Sequence, residues 1–162
     1  MLLGGAVFLL LRGGDDDGLQ SGDGRPPARG ESVTARVLEI VDGDTIDASL
    51  GGEVEPVRYI GIDTPESNPD LPYECFGHEA DGLNRELVEG REVRLVFDDE
   101  RRDQYGRLLA YVYVDDLFVN AEIVRRGYAR TLTIEPNIDH AALLARLEQE
   151  AGNAGRGLWG GC

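Results

Sequence analysis

The sequence predicts an α+β domain: a five-stranded Greek-key β-barrel of the OB type carrying about three α-helices. Three observations lead there. Apolar alternation recurs in five short runs, and tight turns join the first three into an antiparallel meander. Longer runs with helical spacing are inserted among these strands and appended after them. A meander alone cannot cover both of its faces, so the remaining elements must close over it.

The first strand is expected over residues 32–41, where Val33, Ala35, Val37, Leu38 and Ile40 alternate loosely. Asp42-Gly43 turns the chain, and residues 45–50 return as the second strand. Gly51-Gly52 makes the next turn into a third strand over 54–62. Residues 65–72 hold three prolines and read as loop. Over 78–89 the apolar positions Ala80, Leu83, Leu87 and Val88 recur at helical spacing, and Gly90 ends the run. Residues 93–97 and 108–114 supply the fourth and fifth strands, and Asp115-Asp116 turns into Phe118-Val119. A short helix over 120–126 stops at Gly127. The last helix is expected to begin near Asp139 as its N-cap, with Leu143, Leu144, Leu147 and Ala151 inward.

Two segments precede this domain, which is expected over residues 32–162. Residues 1–12 form an apolar leader ended by Arg12, too short for the ~20 residues that span a bilayer. A signal peptide or a membrane anchor is expected there, placing the protein outside the cytoplasm or on the cell surface. Residues 13–31 are acidic and rich in glycine and proline, the composition of a disordered linker. Cys75 and Cys162 lie far apart, outside any CxxC pair. A disulfide between them suits an extracytoplasmic protein, and closing so long a loop stabilises by on the order of 4 kcal/mol. Two free thiols are the alternative.

Charge is the unexpected property. The chain carries a formal net charge of −15, and every basic side chain except histidine is arginine. Such self-repulsion is associated with salt-rich surroundings, although an ordinary acidic secreted protein has the same composition. Polyanionic partners gain nothing from this overall charge.

The chemistry lies in Val41-Asp42-Gly43-Asp44-Thr45-Ile46, Arg58, Asp63-Thr64-Pro65-Glu66 and Asp103-Gln104-Tyr105-Gly106-Arg107. Asp44 and Asp63 sit near adjoining strand ends, where two carboxylates repel unless a cation or a proton lies between them. Calcium suits such a place because it takes carboxylate and carbonyl oxygens in flexible geometry. Glu66, held just beyond Pro65, can orient an attacking water and take its proton. Arg58 and Arg107 match phosphate oxygens and the charge that grows on them during displacement. Tyr105 can donate to a further phosphate. Taken singly, each of these residues reads as a turn or surface residue.

Together and in this order, these blocks closely resemble the staphylococcal nuclease family. The similarity continues through Val119-Asn120 and Arg125-Arg126-Gly127 to Gly157-Leu158-Trp159. The resemblance implies the same barrel with three helices and a calcium-dependent nuclease acting on DNA and RNA, single strands preferred. It implies Asp44, Asp63 and the Thr64 carbonyl as Ca2+ ligands, with Asp42 contributing through water or from behind. Arg58, Glu66 and Arg107 become the catalytic residues, and 3′-phosphate ends the product. A monomer is expected. Where the family pattern has a lysine beside the tyrosine this chain has Gln104, and base-holding aromatics are replaced by Leu132 and Ile134. Weaker base stacking is therefore expected. The alternative is an inactive OB-fold module that only binds nucleic acid or decorates the cell surface.

Overall fold

A computed structural model describes residues 29–72 and 74–162. The expected leader and all but the last three residues of the expected linker lie outside the described residues. Those three are held against the domain. Gly30 N–H donates to the Phe97 carbonyl, Phe97 N–H donates to the Glu31 carbonyl, and Arg29 pairs with Asp98, Asp99 and Asp139.

In chain order the elements are β1 (Ser32–Asp42), β2 (Thr45–Leu50), β3 (Glu53–Tyr59), β4 (Ile62–Asp63), α1 (Gly77–Val88), β5 (Glu92–Val96), β6 (Leu108–Val114), β7 (Leu117–Phe118), α2 (Val119–Arg125), β8 (Arg130–Thr131), α3 (Ala141–Asn153) and α4 (Leu158–Gly161). β1, β2 and β3 form the antiparallel meander. β5 returns antiparallel to β1, and β6 antiparallel to β5. A parallel pairing of β3 with β6 then closes the ring of five strands. This is the expected OB-type barrel with three helices of two or more turns. A single further turn, α4, was not foreseen from the pattern.

The alternating residues of the five strands fill the barrel, where Ile46, Val57, Leu95 and Val112 are fully buried. Leu83, Leu87 and Val88 of α1 cover one opening of this core, while Ile123, Val124, Leu144 and Leu147 join α2 and α3 to it. Each such aliphatic side chain contributes about 1.5–3 kcal/mol by leaving water. The loose alternation of β1 has a physical cause. Its register with β2 shifts between Val37 and Glu39 and again between Ile40 and Asp42. These bulges leave Leu38 and Val41 52% exposed while Val37 and Ile40 remain inside.

Two expectations are corrected. The third strand ends at Tyr59, and Ile62–Asp63 belongs to β4, which pairs with β8. Gly61, at φ 81°, turns the chain between them. Asp139 does not cap α3: His140 occupies that position and makes no side-chain capping bond. The Asp139 carboxylate is instead taken by Arg29, and its N–H donates to Asp98 Oδ2 at 3.1 Å. Among the described residues no helix is long and apolar enough to cross a membrane.

Candidate active site

The β1–β2 turn carries Asp44 inward. Asp42 Oδ1 accepts the Asp44 N–H at 3.0 Å, an Asx turn that fixes the direction of the chain. Gly43 is required by close approach, because a side-chain carbon there would lie 2.8 Å from both Ala80 Cβ and Thr64 Oγ1. Asn84 of α1, fully buried, donates to the Asp42 carbonyl at 2.9 Å and accepts the Tyr59 hydroxyl at 2.8 Å. The turn is thus tied to both helix and strand.

Asp44 is only 4% exposed. Its Oδ2 accepts the Thr64 N–H at 2.8 Å and its Oδ1 the Thr45 hydroxyl at 3.2 Å. Arg58 stands opposite Thr45 in the β2–β3 register, which brings its Nη1 to 3.1 Å from Asp44 Oδ1. The same guanidinium donates to the Tyr59 and Ile62 carbonyls at 3.0 and 2.9 Å, and its Nη2 pairs with Asp63 at 3.0 Å. Burial pushes the Asp44 carboxyl up from 3.8 to about 7; the nearby Asp42 charge adds to this, while Arg58 and the Thr64 N–H oppose it. Loss of hydration, more than crowding by Asp42, is thus what disfavours the charged carboxylate here.

Arg107 arrives from the other side of the barrel closure. Parallel pairing sets Leu108 beside Val57 and Leu109 beside Arg58, so Arg107 enters just short of Leu108, two residues before the position beside Arg58. Asp103 organises the turn before it. Its Oδ1 accepts the N–H groups of Tyr105 and Arg107, both at 3.0 Å, and its Oδ2 accepts Arg107 Nε at 2.7 Å. Gly106, at φ 85°, completes the bend. Asp103 thus fixes the Arg107 side chain by its Nε, and a guanidinium also carries two terminal nitrogens whose fork matches phosphate oxygens. Tyr105 is 75% exposed, with the Arg107 guanidinium 5.5 Å from its ring centre.

Glu66 lies on the loop after Pro65, half-buried, and its Oε1 accepts the Asn68 N–H at 2.7 Å. Asp42, Asp44, Arg58, Asp63, Thr64, Glu66 and Arg107 all line one polar cleft of about 250 Å³. A larger, more apolar cleft of about 380 Å³ shares Arg58 and Arg107 as its wall and is lined further by Tyr105, Leu109, Leu132 and Ile134. Seven of the residues expected from the sequence thus meet in one place, and Tyr105 stands next door. Cys75 and Cys162 are joined, Sγ to Sγ at 2.13 Å, away from both clefts.

The donor set suits a hard cation. Asp44 and Asp63 bring carboxylates to the polar cleft, and Thr64 lines it. Among the described residues no three His, Cys, Asp or Glu side chains cluster closely enough to enclose an ion by themselves. A cation held here would rest on two carboxylates, a backbone carbonyl and water.

Sequence reasoning gave no role to Asp103, Asn84 or Asn120. Asn120, fully buried, accepts the Val112 N–H at 2.9 Å and donates to the Ile60 carbonyl at 2.8 Å, fastening the end of β3 to β6. The signal for Asp103 was its place three residues before a glycine turn, an Asx-turn pattern. The two asparagines left a weaker one, a polar residue on the inner face of an amphipathic helix.

Residues 56–161 match the family model described as Staphylococcal nuclease homologue. The chain is 41% identical over 132 residues to the SPbeta prophage-derived endonuclease YokF of Bacillus subtilis (strain 168), covering 80% of this chain and 45% of that protein. It is 36% identical over 132 residues to a thermonuclease of Staphylococcus intermedius, covering 81% of this chain and 77% of that one. With endonuclease YncB of Bacillus subtilis (strain 168) it shares 37% identity over 141 residues, 84% of this chain and 67% of the relative. The chain therefore spans less than half the length of YokF and about three quarters of the thermonuclease.

Proposed function

The chain belongs to the staphylococcal nuclease family, and we propose that it is a calcium-dependent nuclease that hydrolyses phosphodiester bonds of DNA and RNA, leaving 3′-phosphate ends. The observation that carries this reading is the single polar cleft in which two carboxylates, a glutamate and two arginines converge from the β1–β2 turn, β3, β4, the following loop and the start of β6. A module that only binds has no need of all five.

In this reading Asp44, Asp63 and the Thr64 carbonyl hold calcium, which when bound supplies positive charge to a phosphate oxygen as negative charge builds there. Glu66 accepts a hydrogen bond from the attacking water and takes its proton as the oxygen bonds to phosphorus. The P–O5′ bond breaks, the departing 5′ oxygen takes a proton from solvent water to become a hydroxyl, and Glu66 gives its own proton back to solvent. Arg107 directs its terminal nitrogens at the phosphate, with Asp103 keeping the fork aimed. Arg58 adds charge from the other wall. Both stabilise the five-coordinate phosphorus more than the starting ester. Tyr105 offers its hydroxyl to an adjoining phosphate, and the apolar cleft beside it takes the sugar and base.

Flexible single strands are the better substrates, because the cleft must be reached by one phosphate with its base turned aside into the apolar wall. The apolar leader and the disulfide support an extracytoplasmic enzyme, secreted or tethered, and we take it to act as a monomer. The net charge of −15 supports adaptation to salt.

Digestion of single-stranded DNA and RNA by the full chain, with calcium or with chelator from low to molar salt, tests the reading. Cleavage only with calcium, leaving 3′-phosphate ends and persisting at high salt, is expected. Intact substrate under every condition, from folded protein, would favour the inactive binding module.

A further inference from the structure

The disulfide lies outside both clefts, yet it bears on the loop that carries Glu66. Cys75 ends that loop, two residues ahead of α1, and its partner Cys162 follows α4. α4 is itself fixed: the Leu158 side chain is buried and the Leu158 N–H donates to the Gly127 carbonyl at 2.8 Å. Beside the disulfide, Phe76 packs against Gly161, where a side-chain carbon would lie 2.6 Å from its ring, and meets Tyr128 edge-on at 5.1 Å. One end of the loop is thus anchored to the C-terminal part of the domain.

The same anchor reaches Glu66 through one residue. Glu74, the neighbour of Cys75, accepts the Glu66 N–H on its carboxylate at 2.9 Å and donates its own N–H to the Glu66 carbonyl at 3.3 Å. Gly77 closes the arrangement from below, since a side-chain carbon there would lie 2.4 Å from the Glu66 carbonyl oxygen. Glu74 is exposed, and an exposed hydrogen bond opens readily to water unless its partners are held together. The disulfide limits how far Glu74 can swing.

We propose that Glu74 and the Cys75–Cys162 disulfide are positioning residues for Glu66: they form a strut that sets the backbone from which the water-orienting carboxylate projects. This rests on the assignment of Glu66 given above, but its structural half does not depend on activity.

The test compares the full chain with Glu74→Ala, Glu74→Gln and the double variant Cys75→Ala/Cys162→Ala, well below their unfolding temperatures. Hydrogen exchange at the Glu66 N–H is read against that of the Tyr59 N–H, which donates to the Asp44 carbonyl inside the barrel. In Glu74→Ala and in the disulfide-free protein the Glu66 amide should exchange about tenfold faster or more, with Tyr59 unchanged. kcat should fall by about ten- to a hundredfold at constant KM. Glu74→Gln retains an accepting oxygen and should keep most of both properties. Unchanged exchange at Glu66, or acceleration shared equally with Tyr59, overturns the strut and leaves only a general stabiliser, as does normal kcat from a loosened loop. A wild-type protein without nuclease activity would refute the proposed function instead, and the exchange rates would still decide the strut.

Discussion

The guanidinium of Arg58 rests 3.1 Å from the buried carboxylate of Asp44, placed there by the register that sets Arg58 opposite Thr45. Arg58 bridges Asp44 and Asp63, so it serves as counter-charge to the carboxylates assigned to calcium. Were a cation held by those oxygens, it would take over part of this role, and the Arg58 N–H groups would be freer to meet a phosphate.

Asp44→Ala removes this partnership from a nearly buried site. Arg58 keeps Asp63 and two backbone carbonyls, but the Thr64 N–H and the Thr45 hydroxyl lose their acceptor, so stability should fall by about 1–3 kcal/mol. Calcium at a hundredfold excess over its Kd should stabilise the wild type by about 2.7 kcal/mol and the variant hardly at all. Urea unfolding with and without calcium checks both effects.

Asp103 gives the turn before Arg107 a pH dependence. Arg107 and the two backbone N–H groups hold its carboxyl below the usual 3.8, against the opposing effect of burial. A depressed folded value stabilises the protein above the unfolded value and is lost as pH falls through the folded one. Unfolding of wild type measured from pH 6 down to pH 2 should therefore show acid destabilisation that is smaller in Asp103→Asn. Equal acid sensitivity would show that this carboxylate is not coupled to folding.

Asn120→Ala should be among the most damaging conservative changes outside the clefts. It leaves the Val112 N–H and the Ile60 carbonyl without the partner they have in the interior. The expected loss is about 2–6 kcal/mol, from two buried groups each costing about 1–3 kcal/mol when unsatisfied. Denaturant midpoints give the value directly.

The fold was legible because the pattern and the turn chemistry agreed. Alternation in the five runs, Asp42-Gly43, Gly51-Gly52 and the spacing of Leu83 and Leu87 each pointed to the element now seen. The parallel closure of β3 on β6 left no local signal, since pairing partners distant in sequence are set by the whole core. That closure brings Arg107 to Arg58. Family resemblance, rather than periodicity, was what placed them together beforehand. The N-cap at Asp139 failed for a tertiary reason: Arg29, 110 residues away, takes the carboxylate. Asp103 and the buried amides of Asn84 and Asn120 work through backbone groups, which a one-dimensional pattern does not display.

The apolar cleft predicts weak base holding. Leu132 and Ile134 line it, 39% and 60% exposed, and of its two lining tyrosines Tyr59 is buried and only Tyr105 is exposed. Leu132→Tyr/Ile134→Tyr should tighten single-stranded DNA by about tenfold or more, because stacking contributes ~1–3 kcal/mol per base. The gain should appear in KM, with kcat little changed.

The central claim is that the polar cleft is catalytic and that Arg107 stabilises charge developing on phosphorus. The most direct measurement is single-turnover cleavage of single-stranded DNA in saturating calcium by wild type and Arg107→Ala, with folding followed by circular dichroism. A rate lower by about 10²–10³ in a variant that remains folded is the predicted result. Equal rates from the two proteins would contradict the account, because the arginine fork held by Asp103 would then have no part in the chemistry.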